Sequence, residues 1–243
     1  MKKLLTGLGV SLCFLTMVSC SSKPEEAKVN ELTEQEKKDG WVSLFDGKTT
    51  DGWHLYNKGK VASAWVVQDS TLHCRFDTTE VEHGDLVSDK EFENFDLKFE
   101  WKIPKEGNSG VFINVVEKPE IPTAWASAPE YQLLEASHPD YATSPKKRAG
   151  GMFNLFEQKN PVSPKPVGEW NQSEIKQTGG KIEFYLNGVL TVQEDLTNQA
   201  WKDLIASTGF QHFPEFGKAT KGRIGLQEWS KGISFRNIKI KTL

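Results

Sequence analysis

Period-two alternation is the strongest signal in the chain. The segment Asp96-Leu97-Lys98-Phe99-Glu100-Trp101-Lys102-Ile103 puts Leu97, Phe99, Trp101 and Ile103 on one face and Asp96, Lys98, Glu100 and Lys102 on the other, because successive strand side chains point to opposite sides of a sheet. Shorter runs rich in Val, Ile, Phe and Trp, bounded by Gly, Pro, Asn or Asp, predict further strands near 64–67, 72–76, 110–116, 131–134, 173–177, 181–186, 222–226 and 233–240. Asn187-Gly188 between 181–186 and Val189 to Val192 reads as a hairpin turn, since this dipeptide accepts positive φ. Helical periodicity is slight. The expected fold is all-β: a two-sheet antiparallel sandwich with one face of each sheet buried and the other open to solvent or ligand.

The first residues break this pattern. Met1-Lys2-Lys3 is basic, Leu4 to Val18 is apolar, and Ser19 precedes Cys20, which together predict a secretory signal over 1–19. Met17-Val18-Ser19-Cys20 resembles a bacterial lipobox, so Cys20 is the expected lipidation site and the bacterial cell envelope the expected location. The competing reading is a soluble secreted protein in which Cys20 is incidental. Residues 20–39 are polar and charged, as in a flexible tether, and a single folded domain is expected over 40–243. The Pro-rich piece 160–168 reads as a surface loop.

Composition sharpens the picture in two places. The net charge of -3 falls to -5 once Lys2 and Lys3 are removed, so a basic footprint for nucleic acid is missing and membrane contact is expected through the lipid only. Of the 3 Cys, one leaves with the signal and one carries lipid, so Cys74 is left without a disulfide partner. Alternation groups it with Leu72 and Phe76, as a core filler.

Familiar chemistry motifs are missing: the chain has no P-loop, no Gly-x-Gly-x-x-Gly after a strand, no Gly-x-Ser-x-Gly elbow, no Cys pairs for zinc and no His-Glu-x-x-His. What remains is carboxylates, amides and Trp on strands. These suit a sugar, whose apolar face stacks on aromatic rings while its hydroxyls bind amides and carboxylates.

A family resemblance rests on ordered blocks: Trp41-Val42-Ser43-Leu44-Phe45-Asp46-Gly47-Lys48 with Asp51-Gly52-Trp53, then Trp65-Val66-Val67, Leu86-Val87-Ser88, and the Phe95 to Trp101 strand. Asn108-Ser109-Gly110-Val111-Phe112, Glu130-Tyr131-Gln132-Leu133-Leu134, Gly168-Glu169-Trp170-Asn171, Leu186-Asn187-Gly188, Gly225-Leu226-Gln227 and Phe235-Arg236-Asn237-Ile238-Lys239-Ile240 follow. In this order they resemble the 3-keto-disaccharide hydrolase domain family. The resemblance implies a concanavalin A-like jelly roll acting on glycosides oxidised at C3, with a sugar 3-dehydrogenase upstream. A C3 ketone acidifies the proton on C2, so a base can remove it, the aglycone leaves C1, and water adds to the enone.

Pattern and strand phase then nominate residues. Glu130, Glu100, Glu228 and Glu135 are candidates for the base or a metal ligand, and Gln132, Asn108, His138, Gln227 and Trp229 for substrate contacts. Glu130 and Gln132 are two apart and share a face, with Tyr131 and Leu133 behind, and Asn108 is assigned to an Asn-Ser-Gly turn. Bland alternatives stand beside them: Glu100 pairing with Lys98 or Lys102, His138 as a loop residue, and Trp170 and Asn171 as packing. A divalent ion stays open, since no dense ligand cluster demands one. Two departures matter. Trp229 stands where family members often carry His, and the Arg common after the Asn108 block is missing, with Asn114 nearest. A non-catalytic lectin-like module and a structural surface lipoprotein are the rival readings.

Overall fold

The computed structural model describes residues 28–243; the expected signal and Cys20 lie outside the described residues. The first strands are β1 (Trp41–Ser43), β2 (Trp53–Leu55), β3 (Trp65–Gln68), β4 (Thr71–Cys74), β5 (Leu86–Phe92), β6 (Phe95–Lys102) and β7 (Asn108–Val115). They are followed by β8 (Glu130–Leu134), β9 (Asn171–Thr178), β10 (Lys181–Leu186), β11 (Val189–Asp195), β12 (Gly222–Leu226) and β13 (Ser234–Thr242). Two α-helices, α1 (Glu34–Lys38) and α2 (Gln199–Ala206), and short 3-10 turns complete the described chain.

The strands form two antiparallel sheets. An eight-stranded sheet runs β11-β10-β9-β6-β13-β4-β3 with β1 paired to β13, and a five-stranded sheet runs β2-β5-β12-β7-β8. Strands distant in sequence sit side by side, β13 between β6 and β4 and β12 between β5 and β7. This is the two-sheet antiparallel sandwich that the alternation predicts, in the jelly-roll form that the family resemblance implies.

The alternation on β6 explains how the sheets meet. Phe95, Leu97, Phe99 and Trp101 are all buried and face the second sheet, where the Phe99 and Tyr131 rings meet edge to face with centroids 5.8 Å apart. Ser173 satisfies two buried polar groups at this seam, accepting from Trp101 Nε1 at 2.9 Å and meeting the Tyr131 hydroxyl at 2.8 Å. Cys74 packs in the same core, and burial pushes its thiol well up. Asn187 and Gly188 take φ values of +48° and +83°, as the hairpin turn requires.

β7 is buried along its whole length, so a second layer must cover its outer side. Val111 and Ile113 join the inter-sheet core, while Phe112 and Val115 pack outward against Tyr56, Val87, Ile121 and alanines of the 124–128 stretch. That cover fills part of the outer face of the five-stranded sheet. The rest is open.

The second part of the expected tether, 28–39, is not loose. Residues 28–39 are built onto the domain: Thr33 and Glu36 form a reciprocal capping box at the start of α1, and the backbone N–H of Asn30 donates to Asn237 Oδ1 at 2.6 Å while that of Asn237 donates to Asn30 Oδ1 at 2.8 Å. Glu36 also pairs with Lys239. Low hydrophobicity suggested a loose linker, but polar side chains with specific partners tie it down.

Candidate active site

The register of two neighbouring strands builds the site. β7 and β8 pair with Gly110 opposite Gln132 and Phe112 opposite Glu130. Tyr131 and Leu133 point into the core, so Glu130 and Gln132 point outward. Gly110 has no side chain, and a Cβ there would lie 2.0 Å from Glu130 Oε1. The Glu130 carboxyl group therefore occupies the space that a larger residue would fill.

These groups floor a cavity of about 320 Å³, which Asn108, Gln132 and Gln227 also line. Asn108 is the first residue of β7 rather than part of a turn; its backbone exchanges 3.1 Å hydrogen bonds with Ser230 in both directions. Its side-chain oxygen accepts from Gln132 Nε2 at 3.0 Å, and Gln132 Oε1 is buried without a partner. Two amides sharing one hydrogen bond leave one donor group and one acceptor unspent, whichever way the amides are turned. The walls are aromatic. Trp125 meets Phe213 edge to face at 4.6 Å and Phe210 stacks on Phe216 at 4.0 Å. Phe153 closes another side, Asp140 and Asn154 mark the polar rim, and Trp229 stands 64% exposed at the mouth.

Electrostatics single out Glu130. Among the described residues no donor or cation reaches its carboxyl group within hydrogen-bonding distance, although it is only 7% exposed. Burial raises its proton affinity well above the ordinary carboxylate range, and the charge of Asp85 adds to the effect. Asp85, between Gly84 and β5, is itself pushed up to about 7 by burial, against the favourable Glu228 N–H. No group of three or more His, Cys, Asp or Glu among the described residues is arranged to hold a metal ion.

The other nominated residues are placed elsewhere. Glu228 turns away from the cavity: its carboxylate accepts from Gly84 N at 2.5 Å and contacts His83 Nδ1. Glu100 is on the eight-stranded sheet, paired with Arg236 Nε at 2.7 Å. Glu135 accepts from the Glu106 and Ser137 amides at 2.8 and 3.0 Å and fastens a loop. His138 caps a 3-10 turn by accepting from Asp140 N at 3.1 Å. Trp170 packs under Arg236, 4.1 Å from its ring centre, and buried Asn171 accepts from Lys165 N, both outside the cavity. Sequence reasoning missed Asp85 and the aromatic walls, which come from loops and 3-10 turns. Asp85 had one available signal, an acid flanking the Leu86-Val87-Ser88 block.

A buried unpaired carboxyl, a pair of amides and aromatic walls on a two-sheet sandwich define a carbohydrate-processing class of site. The chain belongs to the 3-keto-alpha-glucoside-1,2-lyase-like domain family, whose model matches residues 40–241. It is 29% identical to a 3-keto-disaccharide hydrolase of Bacteroides thetaiotaomicron, with 100% of both chains covered. It is also similar to a crystal structure of a candidate glycosyl hydrolase from Parabacteroides distasonis, with 31% identity, a TM-score of 0.81, and 89% of this chain and 100% of that one covered. A second Parabacteroides distasonis structure, at 23% identity and TM-score 0.63, covers 84% of this chain and 99% of that one and shares the fold. The protein is an enzyme that acts on glycosides.

Proposed function

We propose that this enzyme cleaves glycosides carrying a ketone at C3, with Glu130 as the base that removes the C2 proton. The observation carrying this reading is the buried, unpaired Glu130 carboxyl at the cavity floor. A base works best with a proton affinity near the operating pH, and burial with the Asp85 charge drives Glu130 in that direction. The carboxylate takes the C2 proton, the C2–H electrons form the C1=C2 double bond, and the C1–O bond breaks toward the aglycone oxygen, which gains a proton. Water then adds across the enone, hydroxyl at C1 and hydrogen at C2, giving the 3-keto sugar. The Asn108 and Gln132 amide pair supplies the unspent donor that stabilises negative charge on the C3 oxygen. Trp229 and Trp125 offer ring faces to the sugar or the aglycone.

The substrate requires an earlier oxidation, as a sugar 3-dehydrogenase would provide. Lipidation at Cys20 would hold the enzyme in the cell envelope. Replacement of Cys20 by Ala should release it from membranes, and retention of the variant would remove that part of the reading.

The test of function is aglycone release from a 3-keto-glucoside and from its unoxidised parent, with and without chelator. Release is expected from the ketone alone, and release from neither substrate would overturn the enzyme assignment in this form. A chelator effect would show that a divalent ion takes part.

A further inference from the structure

Two chain segments grip each other behind the cavity. Gly84 N–H donates to Glu228 Oε2 at 2.5 Å, and Glu228 N–H donates back to Asp85 Oδ1 at 3.1 Å. His83 bears on the same Glu228 carboxylate while its second ring nitrogen lies 2.6 Å from Thr78 O. The Asp85 carbonyl accepts from Tyr56 N at 2.9 Å, which fixes this segment to the end of β2. The Ala124 N–H is a second backbone group that favours the Asp85 charge. Ala124 and Glu228 each immediately precede a tryptophan of the cavity, Trp125 and Trp229.

We propose that Asp85 is a positioning residue for the reaction: its carboxylate holds the Glu228 backbone, and so sets the place of Trp229 at the cavity mouth, which rests on this cavity being the substrate site. The Asp85 charge adds to the burial that raises the Glu130 proton affinity. Burial holds the Cys74 and Tyr56 protons more tightly, with smaller contributions from neighbouring carboxylates that include Asp85. His83 sits across Glu228, and its hydrogen bond to that carboxylate raises its proton affinity.

In Asp85→Ala the Glu228 amide should exchange at least about tenfold faster with solvent and KM should rise with a smaller change in kcat. Asp85→Asn keeps an acceptor for that amide, so its protection and KM should stay near those of wild type, and loss of both in this conservative variant would contradict the proposal. Unchanged exchange in Asp85→Ala would eliminate the brace, and if that variant does not fold, weak protection of the Glu228 amide in wild type does the same.

Discussion

On the outer face of the eight-stranded sheet, Glu100 meets Arg236 at 2.7 Å and Glu174 meets Lys176 at 3.0 Å; on the outer face of the five-stranded sheet, Glu130 meets no cation among the described residues. Both faces carry carboxylates, amides and aromatic rings. Pairing separates them. At the far end of the five-stranded sheet the rule repeats: His54 is held between Asp89 and Glu117 at 2.7 and 2.9 Å, and Arg223 completes the cluster on Glu117. Paired charges hold the strands, while a buried carboxyl with no partner is poised for proton transfer.

The comparison breaks most sharply at Gly110. Replacement by Ala would put a Cβ 2.0 Å from the Glu130 carboxyl oxygen, forcing the base aside, and a displacement of about 1 Å can cost roughly a hundredfold in rate. The expected outcome is a kcat/KM loss of about that size in a folded protein, checked by steady-state release of aglycone and by circular dichroism. Wild-type kinetics in Gly110→Ala would mean that the position of the Glu130 carboxyl does not matter.

Trp229→Ala removes an exposed ring at the cavity mouth and should raise KM about five- to tenfold with a smaller change in kcat, in keeping with the worth of an aromatic contact. A kcat loss at constant KM would point instead to a role in the chemical step.

The two regions should also differ in pH-dependent stability. Burial pushes Asp85 up to about 7 and Glu130 well above its usual range, so between about pH 4 and 7 the folded protein keeps protons that the unfolded chain has released. Stability from these groups is full below the unfolded values and lost as pH rises through the folded ones. His83, raised by Glu228, acts in the same sense near neutrality. Hydrogen bonds from His54 hold Asp89 and Glu117 low against burial, so their contribution is lost as pH falls toward acid. Tm should accordingly be several degrees higher near about pH 5.5 than near about pH 8. Asp85→Asn should flatten this dependence, and a Tm that climbs toward alkaline pH contradicts the assignment.

Glu100→Gln gives the smallest effect. It breaks a pair that is partly open to solvent on the non-cavity sheet, so stability should change by no more than about 1 kcal/mol, with aglycone release within about twofold of wild type. A large loss of activity in that variant would move the site to the other sheet.

Strand phase makes the sheets legible in the sequence, because alternation on β6 and the Asn187-Gly188 turn are local signals. Glu130 and Gln132 share an outward face for the same reason. The three-residue strands β1 and β2 and the longer β5 carry a weaker pattern, since the surfaces they bury depend on distant partners such as β13 and β12. Glu100 and Glu130 look alike in sequence, as outward carboxylates on strands. Arg236 is distant in sequence from Glu100, and Gly110 from Glu130, so only the fold tells the two apart. The aromatic walls come from Trp125, Phe153, Phe210 and Phe216, outside the long strands, where no period marks direction. The capped segment 28–39 escaped notice because its stability comes from hydrogen bonds rather than apolar burial.

The central claim is that Glu130 removes the C2 proton, and the isosteric Glu130→Gln variant tests it most directly. In D2O, wild type acting on a 3-keto-glucoside should release aglycone and place solvent deuterium at C2 of the sugar, both readable by NMR. In Glu130→Gln both should fall together by at least about a hundredfold. Undiminished release and labelling in that variant would contradict the account.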